Sequence, residues 1–138
     1  KAFESNSSSE IMPNVVSEML RYDAPIHVLD RFANETTQLG GVTIEKGKKI
    51  AVVIGSANRD PDAIDDPDKF DISRNCNGML SFGHGIHQCI GEQMLRRELP
   101  IALECLFTKF PSFEIAEPPT WQTDPYFRGY TDLQLRFK

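Results

Sequence analysis

The chain has 138 residues and a net charge of −5 at pH 7, with 40% hydrophobic and 25% charged residues. This composition is typical of one globular domain, and the acidic balance excludes the basic face of a nucleic-acid-binding protein. No apolar run reaches the roughly 20 residues that span a membrane, and residues 1–9 lack the apolar stretch of a secretory signal. We therefore expect a cytoplasmic location and no membrane segment in this portion.

The first predicted element is a helix from Glu10 to Tyr22, preceded by a polar loop over residues 1–9. Ser9 is placed to cap the helix, and Pro25 stops it. Apolar residues recur through this stretch at helical spacing: Ile11, Val15, Met19 and Tyr22.

Short strands are predicted next, over residues 28–33, 36–39, 42–44 and 50–54. Gly40-Gly41 favours a hairpin between the second and third of them. Residues 55–88 contain many turn formers and little periodicity. A loop of this length in a compact domain is commonly functional.

A second helix is predicted from Ile90 to about Phe107, with Pro100 expected to kink or interrupt it. Its predicted apolar side consists of Met94, Ile101, Ala102, Cys105 and Leu106. Residues 110–138 are predicted as strands and turns ending in a β-hairpin.

The strongest chemical signal is the segment FGHGIHQCIG, residues 82–91. Cys89 lies just before a predicted helix, where free N–H groups and the helix dipole stabilise a thiolate. Gly83 and Gly85 allow the backbone to approach a large flat partner. Phe82 supplies an aromatic wall, and His87 would stand beside any group bound to Cys89.

The pattern Phe-x-x-Gly-x-x-x-Cys-x-Gly is complete in Phe82, Gly85, Cys89 and Gly91. It resembles the haem-binding loop of the cytochrome P450 family of haem-thiolate monooxygenases, in particular the soluble bacterial type. The resemblance implies that Cys89 ligates the iron of haem b and that His87 hydrogen-bonds a haem propionate.

Two other interpretations of the cysteine remain. Cys89 could be a structural thiol among turn glycines. Alternatively, His84, His87, Cys89 and Cys76 could bind zinc, although their spacing does not match a paired C-x2-C site. The odd number of cysteines, three in all, does not indicate a disulfide framework.

Glu18 and Arg21 are neighbours on the first helix. Helical spacing places Glu18 on the apolar side, where a carboxylate needs a partner. Such a pair is also common as surface decoration. The family, however, has a Glu-x-x-Arg pair before its cysteine loop and a third basic residue between them. The resemblance therefore implies a structural cluster of Glu18, Arg21 and Arg74.

The resemblance also assigns roles to the segment after the first helix. Arg31 matches a propionate-binding arginine, whose guanidinium fork suits a carboxylate. Alternatively, Arg31 could be an exposed arginine on a strand with no binding role. Asn58 and Arg59 are expected to be structural. Candidates for the substrate pocket are Ile26, His27 and Val28, and more weakly residues 124–129.

The implied fold is mixed α and β, mainly helical, and residues 1–138 would form the C-terminal part of a single haem-thiolate domain. The implied activity is O2-dependent oxidation of a small organic substrate. A ferredoxin or flavin reductase would supply electrons and dock on the cysteine-loop side, where Arg96, Arg97 and Lys109 offer positive charge or simply form a solvated face.

The central helix and most of the substrate pocket would lie before Lys1, so we expect a fragment that lacks its N-terminal half and is inactive alone. The alternative is a non-catalytic haem-binding or remnant module.

Overall fold

The computed structural model describes residues 8–138. Residues 1–7, which belong to the predicted N-terminal loop, lie outside the described residues. The elements in chain order are α1 Ser8–Tyr22, β1 Val28–Phe32, β2 Thr37–Leu39, β3 Val42–Ile44, β4 Lys49–Val53, α2 Ile54–Ala57, α3 Glu92–Lys109, β5 Phe113–Ile115, β6 Thr120–Trp121, β7 Tyr130–Asp132 and β8 Leu135–Phe137. Within the described part, no helix is long and apolar enough to cross a membrane.

Helix α1 begins at Ser8, so Ser9 lies inside it and the predicted cap at Ser9 is wrong. Serine is only moderately unfavourable in a helix, and helix ends are defined to within one or two residues. The helix buries Met12, Val15 and Val16. This apolar face fixes α1 against the rest of the chain.

The strands form antiparallel two-stranded ladders. Strand β1 pairs with β4, and β2 pairs with β3 across the predicted Gly40-Gly41 turn. Both glycines have positive φ, +55° and +79°, a conformation that glycine adopts without steric cost. Strand β4 ends at Val53 because Ile54 begins the short helix α2. The hairpin prediction is confirmed.

Helix α3 runs as one element through Pro100, so the predicted interruption is wrong. It packs against α1, and Leu99 and Leu103 line an apolar groove together with Met19 and Leu20 of α1. This packing supports the helix where proline removes a hydrogen bond.

The predicted apolar side of α3 is mostly exposed, and of its five residues only Leu106 is half-buried. Met94 and Ile101 are 58% and 61% exposed, and Ala102 and Cys105 are exposed as well. Apolar residues are spread over more than one side of the helix, so their spacing alone does not identify the side that packs on α1.

The tail forms two nested ladders rather than one hairpin, with β5 paired to β8 and β6 paired to β7. At the outer ladder the Phe137 ring contacts that of Phe110 at 4.1 Å and, edge-on, that of Phe113 at 6.1 Å between ring centres. An isolated bridge between Ile26 and Phe127 joins the tail to the segment after α1. The tail therefore lies beside the first predicted pocket segment.

Candidate functional site

A buried ion pair occupies the C-terminal half of α1. The Glu18 side chain is fully buried and that of Arg21 is 1% exposed. Arg21 donates from Nε to Glu18 Oε2 at 2.6 Å and from Nη2 to Oε1 at 2.8 Å. Burial alone would raise the pKa of the Glu18 carboxyl, but the hydrogen bonds from Arg21 and from the Asp71 amide hold it below its usual value. Glu18 is therefore a carboxylate.

Arg74 joins this pair from the long loop. Its Nε lies 3.6 Å from Glu18 Oε1, which is an ion pair but too long for a hydrogen bond. Its guanidinium also donates to the carbonyl oxygens of Asp65 at 2.6 Å and Asp66 at 3.0 Å. The structure thus brings together the three residues of the cluster inferred from the sequence.

Arg21 connects the cluster to the long loop. Its Nη1 donates to the carbonyl oxygens of Asn58 at 3.0 Å and Pro67 at 2.9 Å, and its Nη2 donates to Lys69 O at 3.2 Å. Since these carbonyls lie in a segment with no ladder of its own, Arg21 supplies hydrogen bonds that regular secondary structure would otherwise provide.

Asn58 and Arg59 are structural, in agreement with expectation. Asn58 is 1% exposed; its Oδ1 accepts from Leu80 N at 2.7 Å and its Nδ2 donates to Ser81 Oγ at 2.8 Å. Arg59 stacks on the Tyr22 ring at 3.9 Å and donates to the Tyr22 carbonyl. These bonds fix the chain immediately before the cysteine loop.

The cysteine loop closes with a hydrogen bond from Cys89 N to Phe82 O at 2.7 Å. Gly83 and Gly85 have φ of +73° and +66°, and residues 85–87 form a 3₁₀ turn. A Cβ on Gly83 would lie 3.1 Å from His87 O, whereas one on Gly85 would meet nothing within 4 Å. The tight approach therefore requires glycine at position 83.

Cys89 lies on an open apolar surface just ahead of α3. The thiol residue is exposed, and its neighbours Ile86 and Ile90 are 97% and 103% exposed. A Cβ on Gly91 would be 3.7 Å from Cys89 Sγ. Large apolar side chains so exposed indicate a surface that another apolar group covers.

Phe82 is buried, at 8% exposure, beneath this surface. The Arg96 guanidinium lies 5.1 Å from the Phe82 ring centre. Arg96 also donates to Glu92 at 2.8 Å and to Ser17 Oγ at 3.1 Å, and Gln88 donates to Glu92 at 2.6 Å. This network, which sequence reasoning missed, connects the cysteine loop to α1 through side chains of α3.

Arg31 lies on β1, opposite Ile50. Within residues 8–138 its guanidinium makes one hydrogen bond, to the carbonyl oxygen of Asp30 at 2.8 Å, and no ion pair. His87 is exposed. The geometry therefore leaves the Arg31 fork available for an anion.

The two candidate pocket segments meet. His27 N donates to Tyr126 O at 2.8 Å, and Arg128 N donates to Pro25 O at 2.8 Å. Lys49, on the neighbouring strand, bonds Asp30 at 2.7 Å and the Tyr126 hydroxyl at 3.0 Å. The turn at residues 124–129 is thus fixed beside Ile26, His27 and Val28.

The zinc interpretation has no geometric support in the described part of the chain. No group of three or more His, Cys, Asp or Glu residues there is arranged to hold a metal ion. Cys76 is instead committed to the Glu18 cluster, with its Sγ 3.4 Å from Glu18 Oε2.

Comparisons with known proteins agree with this geometry. The family model described as Cytochrome P450 matches residues 5–126. A 6-deoxyerythronolide B hydroxylase from Saccharopolyspora erythraea is 41% identical over 128 residues, 91% of this chain and 32% of its own length. The biotin biosynthesis cytochrome P450 of Bacillus subtilis is 38% identical, over 94% of this chain and 33% of its own.

A solved structure gives the same picture. P450BioI, in complex with an acyl carrier protein that carries hexadec-9Z-enoic acid, matches 94% of this chain with a TM-score of 0.89 and 37% identity. The match covers 34% of that protein.

The chain belongs to the cytochrome P450 family and has the fold of that family's C-terminal part. The resemblance to this family and the expected fold class are confirmed. The chain spans about a third of the length of the relatives that it matches. The family as a whole implies a haem cofactor and redox partners.

Replacing Gly83 with alanine should destabilise the cysteine loop by roughly 1–2 kcal/mol, the cost of a left-handed L-residue, and more if His87 O cannot move. Gly85→Ala is the matched control, because its φ is similar but its Cβ would meet open space. The measurement is the free energy of unfolding of both variants. Equal losses would show that the contact with His87 O contributes nothing.

Proposed function

We propose that the whole protein is a haem-thiolate monooxygenase and that residues 1–138 form the C-terminal part of its single haem domain. The observation that carries this proposal is the exposed Cys89, held just before α3 by a glycine loop and flanked by exposed Ile86 and Ile90. Family membership is independent support.

The residues present fit a haem. A thiolate donor, an apolar surface around it and two glycines with positive φ suit a flat apolar group. Arg31 has no acidic partner in the described chain, so its fork is available to a propionate. We propose haem b, with Cys89 as iron ligand, His87 and Arg31 as propionate partners, and Phe82, Gly83, Gly85 and Gly91 as the loop that approaches it.

Haem, when bound, supplies the dioxygen chemistry, and a thiolate ligand favours O–O bond cleavage. The residues of this chain orient the thiolate ligand and influence its potential. The hydrogen bond from Cys89 N to Phe82 O fixes the backbone at the ligand. The buried cluster of Glu18, Arg21 and Arg74 fixes the loop that leads to it. Contacts of this outer kind set ligand orientation and potential.

The substrate side is proposed to include Ile26, His27 and Val28, together with the turn at residues 124–129 that hydrogen-bonds to them. His27 is half-buried and packs against Gly55, where an added Cβ would be 3.1 Å from its ring. The substrate is a small organic molecule whose identity depends on the rest of the pocket.

The electron donor is proposed to be a ferredoxin or a flavin reductase that docks on the cysteine-loop side. Of the three basic residues expected there, Arg96 is occupied by Glu92 and Ser17. Arg97 is exposed, as is Lys109, and these two remain as docking charges. A cytoplasmic location is proposed from the bacterial relatives.

The experiment that tests the function supplies the haem-loaded whole protein with a ferredoxin and its reductase and follows oxidised products from a panel of small organic compounds. We expect product that requires both O2 and electrons. A protein with a thiolate-ligated haem that oxidises nothing with any donor would favour the non-catalytic alternative.

Arg31→Gln should speed haem release about tenfold or more, because a charge-assisted hydrogen bond contributes roughly 1.5–3 kcal/mol. The rate of haem release from Arg31→Lys should lie between those of the wild type and Arg31→Gln, since lysine keeps the charge but lacks the guanidinium fork. Arg136→Gln, on β8, is the control. The rate is measured by haem transfer to an acceptor protein, and release of Arg31→Gln haem at the control's rate would remove Arg31 from the site.

A further inference from the structure

Cys76 is the member of the buried cluster that neither the sequence pattern nor the proposed function explains. Its Sγ lies 3.4 Å from Glu18 Oε2 and 3.7 Å from the Arg74 carbonyl oxygen. The other two cysteines, Cys89 and Cys105, are exposed. Cys76 is thus the one thiol in the described part of the chain that contacts a buried charge.

The donors around Glu18 show what the thiol contributes. Oε1 accepts hydrogen bonds from Arg21 Nη2 at 2.8 Å and from Asp71 N at 2.8 Å. Oε2 accepts from Arg21 Nε at 2.6 Å and from Cys76 Sγ. Arg74 Nε is buried without a hydrogen bond. The long loop therefore reaches Glu18 by hydrogen bonds at two points only among the described residues, Asp71 N and the Cys76 thiol.

We propose that Cys76 is a positioning residue for the cysteine loop: its thiol donates a hydrogen bond to Glu18 and ties the last part of the long loop to the buried cluster. A thiol is ordinarily a weak donor, but a hydrogen bond to an ionised acceptor is stronger than a neutral one. A fully buried carboxylate is such an acceptor.

The thiol keeps the proton that this bond needs. Burial, followed by the hydrogen bond and the charge of Glu18, raises the pKa of Cys76 to about 11. Arg21 and Arg74 oppose this shift without cancelling it. Cys76 is therefore a neutral donor at physiological pH rather than a nucleophile.

Cys76 lies on the chain between the buried cluster and the cysteine loop. Met79 N donates to Cys76 O at 3.2 Å, and Leu80 N donates to Asn58 Oδ1 at 2.7 Å. The chain then reaches Phe82, whose carbonyl accepts from Cys89 N. Loss of the hydrogen bond at Cys76 would therefore loosen a backbone segment whose next fixed points are Leu80 N and Cys89 N.

The test compares Cys76→Ala, which removes the donor, with Cys76→Ser, which keeps one, and with Cys105→Ala as the matched control at an exposed thiol. Amide hydrogen exchange over residues 76–89 is measured in the haem-loaded protein and again after haem removal. We expect exchange about fivefold faster in Cys76→Ala, the equivalent of one hydrogen bond, and largely restored in Cys76→Ser.

Exchange in Cys76→Ala equal to that in Cys105→Ala would overturn the proposal, and so would Cys76→Ser exchanging as fast as Cys76→Ala. In that second case the sulfur acts as an apolar filler. The proposal depends on the proposed function in one respect only, namely that the cysteine loop serves to bind haem. The exchange rates are measured both with and without haem. A chain that never binds haem would refute the proposed function, and the exchange rates of the haem-free protein would still test the role of Cys76.

In the wild-type protein, alkylation provides a second measurement that no unfolded variant can compromise. Cys76 borders a cavity of about 600 Å³ together with Arg21 and Arg74. Iodoacetamide labelling, followed by peptide mass spectrometry, should show Cys76 reacting far more slowly than Cys105 at pH 7, and accelerating as pH approaches about 11. Labelling of Cys76 at the rate of Cys105 would contradict a thiol that burial and Glu18 keep protonated.

Discussion

Glu18→Ala is expected to destabilise the haem-loaded protein by about 3–5 kcal/mol, the usual loss when one partner of a buried ion pair is removed. The Arg21 side chain is 1% exposed, so its charge would remain in the interior without its carboxylate. The change also leaves Asp71 N and the Cys76 thiol without their acceptor. The measurement is the free energy of unfolding in urea.

Glu10→Ala is the control, because Glu10 is exposed on the same helix; it should change stability by no more than about 0.5 kcal/mol. The double variant Glu18→Leu with Arg21→Leu should not recover stability, although hydrophobic replacement of a buried pair often does. Arg21 also serves the carbonyls of Asn58, Pro67 and Lys69, which leucine cannot. A double variant as stable as the wild type would show that these bonds are unimportant.

Cys89→Ser should reduce haem affinity by more than about tenfold, since even outer contacts to metal ligands are worth roughly 10–100-fold and this change alters the ligand itself. The substitution is nearly isosteric at an exposed position, so the fold should be retained. The measurement is haem per chain after gel filtration, together with the free energy of unfolding of the haem-free protein.

Cys105→Ser is the control for thiol chemistry in general, because Cys105 is also exposed and lies on α3. It should bind haem as the wild type does. Full haem content in Cys89→Ser would mean that another residue ligates the iron.

Local pattern suggested the glycine turns of the cysteine loop and placed Glu18 beside Arg21 on the apolar side of the first helix, but the family resemblance was needed to favour a buried cluster over surface decoration. The glycines of the loop have the positive φ that their spacing suggested, and helical spacing placed Glu18 on the buried side. Arg74 needed the family resemblance, since a contact across the long loop leaves no periodic signal. Family membership and fold were then confirmed by the comparisons.

Other features depend on tertiary contacts that spacing does not encode. Cys76 gave no sign of its contact with Glu18, although its place two residues after Arg74 was the available hint. Pro100 was expected to kink or interrupt α3, and the helix that packs on α1 is continuous through it. Met94 was assigned to the packed side of α3 from helical spacing, and it is exposed. The roles of Arg31 and His87 stay predictions.

Ligation of a haem iron by the Cys89 thiolate is tested most directly by the reduced carbon monoxide difference spectrum of the wild-type protein, with metal analysis of the same sample. We expect one iron per chain and a thiolate-type Soret band that is absent in Cys89→Ser. Stoichiometric zinc without haem, or a Soret band unchanged in Cys89→Ser, would contradict it.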